Sequence, residues 1–186
     1  VDMDTRSQTI SSRRFAIAPS VVEQAEATLQ DVETLANISW YFLGEAEKIQ
    51  LNKMSAEGQL NFLRQFWREM DEDPTTPENY TFDEAVRRFK FANEFFETLP
   101  GRSDGWRTDR GRVYITYGPY DRKVELAIPS LEEPLIKWEY YGLENGVIFI
   151  FVHDEHMSIG DFELKHSTHP REIANVYWER LIEGHY

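Results

Sequence analysis

Apolar residues recur every three or four positions up to about residue 110, and every second position beyond it. The first period predicts helices and the second predicts strands. Val22, Ala25, Leu29, Val32 and Ala36 share helical spacing behind a start at Pro19-Ser20. A second, shorter helix is predicted over about 44–52. A third follows Ser55, an N-cap residue type, with Leu60, Leu63 and Trp67 on one face and Phe62 and Phe66 on its flank. Asp71-Glu72-Asp73-Pro74 ends it, because Pro disfavours helical backbone in the residue before it. Thr81-Phe82-Asp83-Glu84 reads as a capping box, and Phe82, Val86, Phe89 and Phe96 form the apolar stripe behind it. Leu99-Pro100-Gly101 closes that helix, and 101–104 is a polar loop.

From Arg112 the alternation predicts a strand. Val113, Ile115 and Tyr117 face one way; Arg112, Tyr114 and Thr116 face the other. Gly118-Pro119 is a turn, and 123–128 a short strand. Ile136, Trp138 and Tyr140 alternate with Lys137 and Glu139, and Asn145-Gly146 closes a hairpin. The next six residues, Val147 to Val152, are apolar throughout, as in a central strand covered on both faces. After Gly160, the residues Phe162, Leu164 and His166 alternate with Asp161, Glu163 and Lys165. Ile173, Val176, Tyr177 and Leu181 predict a closing helix. Helices followed by strands give an α+β fold: N-terminal helices packed on a mostly antiparallel four- or five-stranded sheet, with a closing C-terminal helix. The expected core includes Leu63, Trp67, Phe89, Phe96, Trp106, Val113, Ile115, Trp138, Phe149, Phe151, Phe162 and Leu164. Residues 1–18 read as a linker or arm from a preceding domain, in which only Phe15 to Ala18 could pair as an edge strand. Residues 19–186 are the domain.

Composition narrows the partners. The net charge of −13 argues against nucleic acid, which calls for a basic face. The chain has no cysteine, which removes disulfides, thiolate metal sites and thiol nucleophiles. No apolar run approaches the ~18 residues of a membrane span. Residues 1–14 lack the apolar core of a signal peptide, and a start at Val1 suggests a processed or excised product.

Three constellations could carry chemistry. Trp106, Arg107, Thr108, Asp109, Arg110 and Arg112 lie between a loop and a predicted strand and form a candidate polar pocket for an anionic or peptide ligand. The same residue types serve structure equally well: Thr108 and Asp109 can satisfy free backbone N–H groups, Trp106 can roof the helical layer, and Gly111 can allow a close approach. His153, His156, His166 and His169 offer nitrogen to zinc if they converge, but short loop spacings of this kind arise by chance. Asp71, Glu72, Asp73, Glu78 and Asn79 could offer oxygen to calcium, without the spacing or mid-loop Gly of an EF-hand. Serine-hydrolase, Walker and dinucleotide motifs are missing. No nucleophile–base pair is evident and no cofactor is implied.

The stretch Gly105-Trp106-Arg107-Thr108-Asp109-Arg110-Gly111, with Tyr114-Ile115 and Tyr117-Gly118-Pro119, resembles the signature of the GWxTD-domain family. Phe66-Trp67, Asp71, Pro74, Thr76 and Asn79 resemble a block preceding it. Arg88, Phe91-Ala92-Asn93 and Phe96 resemble a helical block, and Trp138, Tyr140-Tyr141, Gly160-Asp161 and His166-Ser167-Thr168 the final strands. Met70, Glu72-Asp73, Tyr80 and Tyr120 depart from the family pattern. The resemblance implies an exported bacterial protein, periplasmic or secreted, in which the module follows a β-rich domain, and it implies no known activity. The expected function is a non-enzymatic binding or assembly module with a protein partner. The alternative is a metal-dependent hydrolase using the clustered His and Asp residues.

Overall fold

Capping and apolar spacing assemble the helical layer in the order the pattern sets. The computed structural model describes residues 32–127, 135–153 and 160–180. Within them run α1 (Val32–Ser39), α2 (Glu45–Leu51), α3 (Ala56–Glu69) and α4 (Tyr80–Phe95). A 3-10 turn (Gly105–Arg107) and α5 (Asp109–Tyr117) follow, then β1 (Arg122–Leu126), β2 (Leu135–Tyr140), β3 (Val147–Val152) and β4 (Glu163–Ser167). The arm 1–18, the predicted helix start at Pro19, Ile128, His156 and Leu181 lie outside the described residues.

Ser55 caps α3 as expected, its hydroxyl accepting from the Gly58 N–H at 3.3 Å. Leu63 and Trp67 turn inward from that helix. Trp67 meets Phe42, Phe66 and Phe82 edge-on at 5.0–5.3 Å. Its indole N–H donates to Ser39 Oγ at 2.8 Å, and the Ser39 hydroxyl donates to the Leu35 carbonyl at 2.7 Å. The pair satisfies two buried polar groups and ties α3 to α1.

The cap of α4 differs from the expected box at Thr81. Asn79 is the N-cap: its Oδ1 accepts from the Phe82 N–H at 2.9 Å, and its Nδ2 donates to the Trp67 carbonyl at 2.6 Å. One amide side chain thus starts α4 and satisfies the end of α3, which a Thr hydroxyl two residues later could not do.

The larger correction concerns residues 112–117, which are helical. Thr108 caps α5, Arg112 N–H donates to the Thr108 carbonyl at 2.8 Å, and Gly118, at φ 89°, ends the helix. Val113, Tyr114 and Ile115 are all buried at successive positions. A helix enclosed on most sides has no single apolar stripe, so its sequence can alternate like a strand.

The sheet has strand order β1-β2-β3-β4 among the described residues, with every neighbouring pair antiparallel. Ile136, Trp138 and Tyr140 of β2 and Val147, Phe149 and Phe151 of β3 join the helices in the main core. Leu135, Ile150 and Val152 point to the other face, where Ile148 and Trp178 pack on them. Burying a residue such as Phe149 or Phe151 contributes about 1.5–3 kcal/mol. All the core residues expected from the pattern are buried.

The register between β3 and β4 slips by one at Ile150/Phe151: Phe151 pairs with Leu164 while Ile150 pairs with His166, leaving Lys165 as the extra residue of a bulge. Leu164 therefore faces the main core, whereas His166 pairs with Ile150, on the opposite face, and stacks on Trp178 at 5.8 Å. The simple alternation expected for Phe162, Leu164 and His166 breaks at this point. Beyond β4 the expected closing helix does not appear before Arg180. Residues 170–179 form turns and irregular chain, with Ile173, Val176 and Tyr177 exposed.

Candidate functional site

The signature residues occupy the 3-10 turn and the first turns of α5, where three parts of the fold meet. Gly105 lies on the end of α4: a Cβ there would stand 2.0 Å from the Ala92 carbonyl oxygen. Gly111 lies on Gly105 in turn, and its Cβ would stand 1.9 Å from the Gly105 carbonyl oxygen. Backbone therefore packs on backbone twice in succession, at distances only glycine permits. Both glycines are needed for this close approach.

Thr108 joins the two turns. Its hydroxyl donates to the Gly105 carbonyl at 2.8 Å and accepts from the Gly111 N–H at 3.0 Å. Trp106 enters the helical core, edge-on to Tyr41 at 6.1 Å and tilted on Phe89 at 5.7 Å. Its backbone N–H donates to Asn93 Oδ1 at 3.1 Å, and its backbone carbonyl accepts from the Tyr41 hydroxyl at 3.0 Å. Arg107 is exposed and lays its guanidinium 4.8 Å from the Trp106 ring centre.

Asp109 and Arg110 reach across to the sheet. Asp109 Oδ2 accepts from the Leu164 N–H of β4 at 2.7 Å. Arg110 is buried between the rings of Phe96 and Phe162, at 5.1 and 4.4 Å, and donates to the Gly160 carbonyl. Burial pulls its pKa down to about 10, against the opposing charge of Asp161. Arg110 Nε has no hydrogen-bond partner among the described residues. The stack on two aromatic faces compensates part of that loss.

Arg112 leads to a cluster that the sequence pattern did not disclose. Its guanidinium makes a two-pronged contact with Glu172, Nη1 to Oε1 at 2.7 Å and Nη2 to Oε2 at 2.9 Å, with Asp109 Oδ1 3.7 Å from Nε. Tyr117 donates to Glu172 Oε1 at 2.8 Å, and its hydroxyl lies 3.4 Å from His169 Nδ1. Burial works to raise the Glu172 pKa, but the hydrogen bonds from Arg112 and Tyr117 and the Arg112 charge outweigh it and hold the carboxyl below its usual range. Burial and the Glu172 hydrogen bond push the Tyr117 phenol up. Sixty residues separate Arg112 from Glu172. The visible signal was the spacing of Asp109, Arg112 and Thr116, which is helical and places the partly exposed side of α5 on one stripe.

The candidate pocket thus divides. Thr108, Asp109 and Arg110 turn into the fold, Arg112 pairs with Glu172, and Arg107 alone is exposed. The three described histidines engage different neighbours. His153 Nδ1 lies 2.7 Å from the Asp161 carbonyl, His166 stacks on Trp178, and His169 packs on Tyr117 at 4.7 Å. Among the described residues no three His, Asp or Glu side chains converge on a point that could hold a metal. In the acidic turn after α3, Asp71 accepts from the Asp73 N–H at 3.1 Å and Asp73 from the Thr75 N–H at 3.2 Å, while Asn79 caps α4. No described helix is long and apolar enough to cross a membrane.

A shallow groove of about 460 Å³ lies between α1 and α4, with Ile38, Val86 and Phe89 at its floor and Lys90, Asn93 and Glu94 among its lining. No curated protein and no solved structure matches the chain. The family model of the GWxTD domain matches residues 6–183, nearly the whole sequence, and the chain belongs to the GWxTD-domain family.

Proposed function

We propose that this chain is a non-enzymatic binding and assembly module of an exported bacterial protein, working outside the cytoplasm beside a β-rich domain. The observation that carries the reading is the internal use of the signature. Thr108 and Asp109 are committed to backbone groups, Arg110 is sandwiched between rings, and Arg112 is paired with Glu172. Residues spent in this way hold helices to sheet and leave recognition to the outer surface. There, Ile173, Val176 and Tyr177 expose apolar area within five positions, the kind of surface that a partner chain covers. The metal-dependent hydrolase gains no support from the three described histidines, which engage different neighbours.

Native mass spectrometry of the chain taken from its host without chelator tests the reading. The expected result is a partner chain at fixed stoichiometry that is lost in Val176→Asp. A chain carrying stoichiometric metal and no partner would sink it.

A further inference from the structure

The two edges of the sheet are treated differently. On the β4 edge, the Leu164 N–H is taken by Asp109 Oδ2, the Ser167 N–H by the Ile173 carbonyl, and a bulge at Lys165 breaks the line. That edge is closed to another strand. On the β1 edge no described residue plays such a part: β1 pairs with β2 alone, and four of its five residues are exposed.

The side chains of β1 choose what can add there. In order they are Arg122, Lys123, Val124, Glu125 and Leu126. Lys123 and Glu125 share a face and already touch at 2.5 Å. Charges on an edge strand normally repel an incoming strand. Here the two signs are placed symmetrically about Val124. An antiparallel copy centred on Val124 sets Lys123 opposite the partner's Glu125, Glu125 opposite the partner's Lys123, and Arg122 opposite the partner's Leu126. No like charges meet in that register. Directly opposed residues lie within ~5.5 Å, close enough for both ion pairs to form. A two-residue slip in either direction sets Lys123 or Glu125 opposite its own copy and brings like charges together.

We propose that β1 pairs antiparallel with β1 of a second copy of this chain across a two-fold axis at Val124, joining two four-stranded sheets into one. The inference rests on the assembly reading above and adds to it a self-pairing edge, separate from the Ile173 to Tyr177 surface. Backbone hydrogen bonds supply the attraction, and the Lys123–Glu125 pairs select the register.

Sedimentation equilibrium of the 186-residue chain tests it, with charge-swap variants. A dimer is expected. Lys123→Glu opposes two carboxylates on each side of the axis and should weaken the dimer at least ten-fold. The double variant Lys123→Glu/Glu125→Lys restores the pairing and should dimerise like the wild type, and the urea midpoint of Lys123→Glu shows whether that variant folds. A dimer indifferent to Lys123→Glu overturns the proposal. A wild-type monomer that takes up a different chain from its host overturns self-pairing and leaves the assembly reading standing. A monomer that takes up nothing overturns both.

Discussion

The Cβ position of Gly111 lies 1.9 Å from the carbonyl oxygen of Gly105, well inside any tolerable contact. The obstructing atom is backbone and belongs to a turn that is itself pressed on α4. It cannot move aside without displacing Trp106 or opening the gap to Ala92.

Gly111→Ala and Gly105→Ala should therefore each lose at least about 3 kcal/mol of stability, or roughly 6–12 °C in Tm. Gly142→Ala supplies the control, since a Cβ there meets nothing within 4 Å. Its midpoint in urea should match the wild type. Equal, small effects at all three positions would show that the backbone contact is not tight in solution.

The N-terminus of α5 should answer to one hydroxyl. Thr108→Ala removes both the acceptor for Gly111 N–H and the donor to the Gly105 carbonyl, and should cost about 1–2 kcal/mol. Thr108→Ser keeps both contacts and should cost much less. Asp109→Ala leaves the Leu164 N–H without its acceptor and should cost about 1–3 kcal/mol. Urea titration of the three variants, followed by tryptophan fluorescence, orders them. Ser falling with Ala would locate the role of Thr108 in its methyl group instead.

Glu172 makes stability depend on pH. Its folded pKa lies below the ordinary carboxyl value. Its contribution is thus complete above the unfolded value of about 4.3 and is lost as pH falls through the folded one. Glu172→Gln should cost about 1–3 kcal/mol at pH 7, where Arg112 and Tyr117 lose a charged acceptor. The difference between wild type and variant should stay constant from pH 7 to about 5 and shrink below about 4. Unfolding midpoints measured across that range check the sign. A difference that grows on acidification would mean that the carboxyl is held protonated.

Much of the domain was legible along the chain because local chemistry agreed with the final packing. Ser55 caps the helix it precedes, and Ile136, Trp138 and Tyr140 alternate because one face of β2 meets the helices and the other does not. Gly146 adopts positive φ in the predicted hairpin, although Glu144, not Asn145, is its companion there. The Thr108–Asp109 pair stands out in the sequence as a donor-satisfying unit, but the residues from Arg112 to Tyr117 alternate like a strand. The α5 polar stripe of Asp109, Arg112 and Thr116 competed with a stronger alternation of β-branched and aromatic residues. The Glu172 cluster could not be read, since no local pattern links Arg112 to a residue sixty positions away.

The sequence by itself determined the α+β order, the inward faces of α3, α4, β2 and β3, and membership of the GWxTD-domain family. Each of these depends on spacing within a few residues or on ordered motifs, which the chain carries before it folds. Tertiary structure alone decided that residues 112–117 wind into a helix, that His166 turns away from Leu164, and that Arg110 is buried between Phe96 and Phe162. Those outcomes depend on what surrounds a segment. Gly105 and Gly111 let α5 sink between α4 and the sheet, and once enclosed it gained more from burial than its strand-like residues lost in propensity.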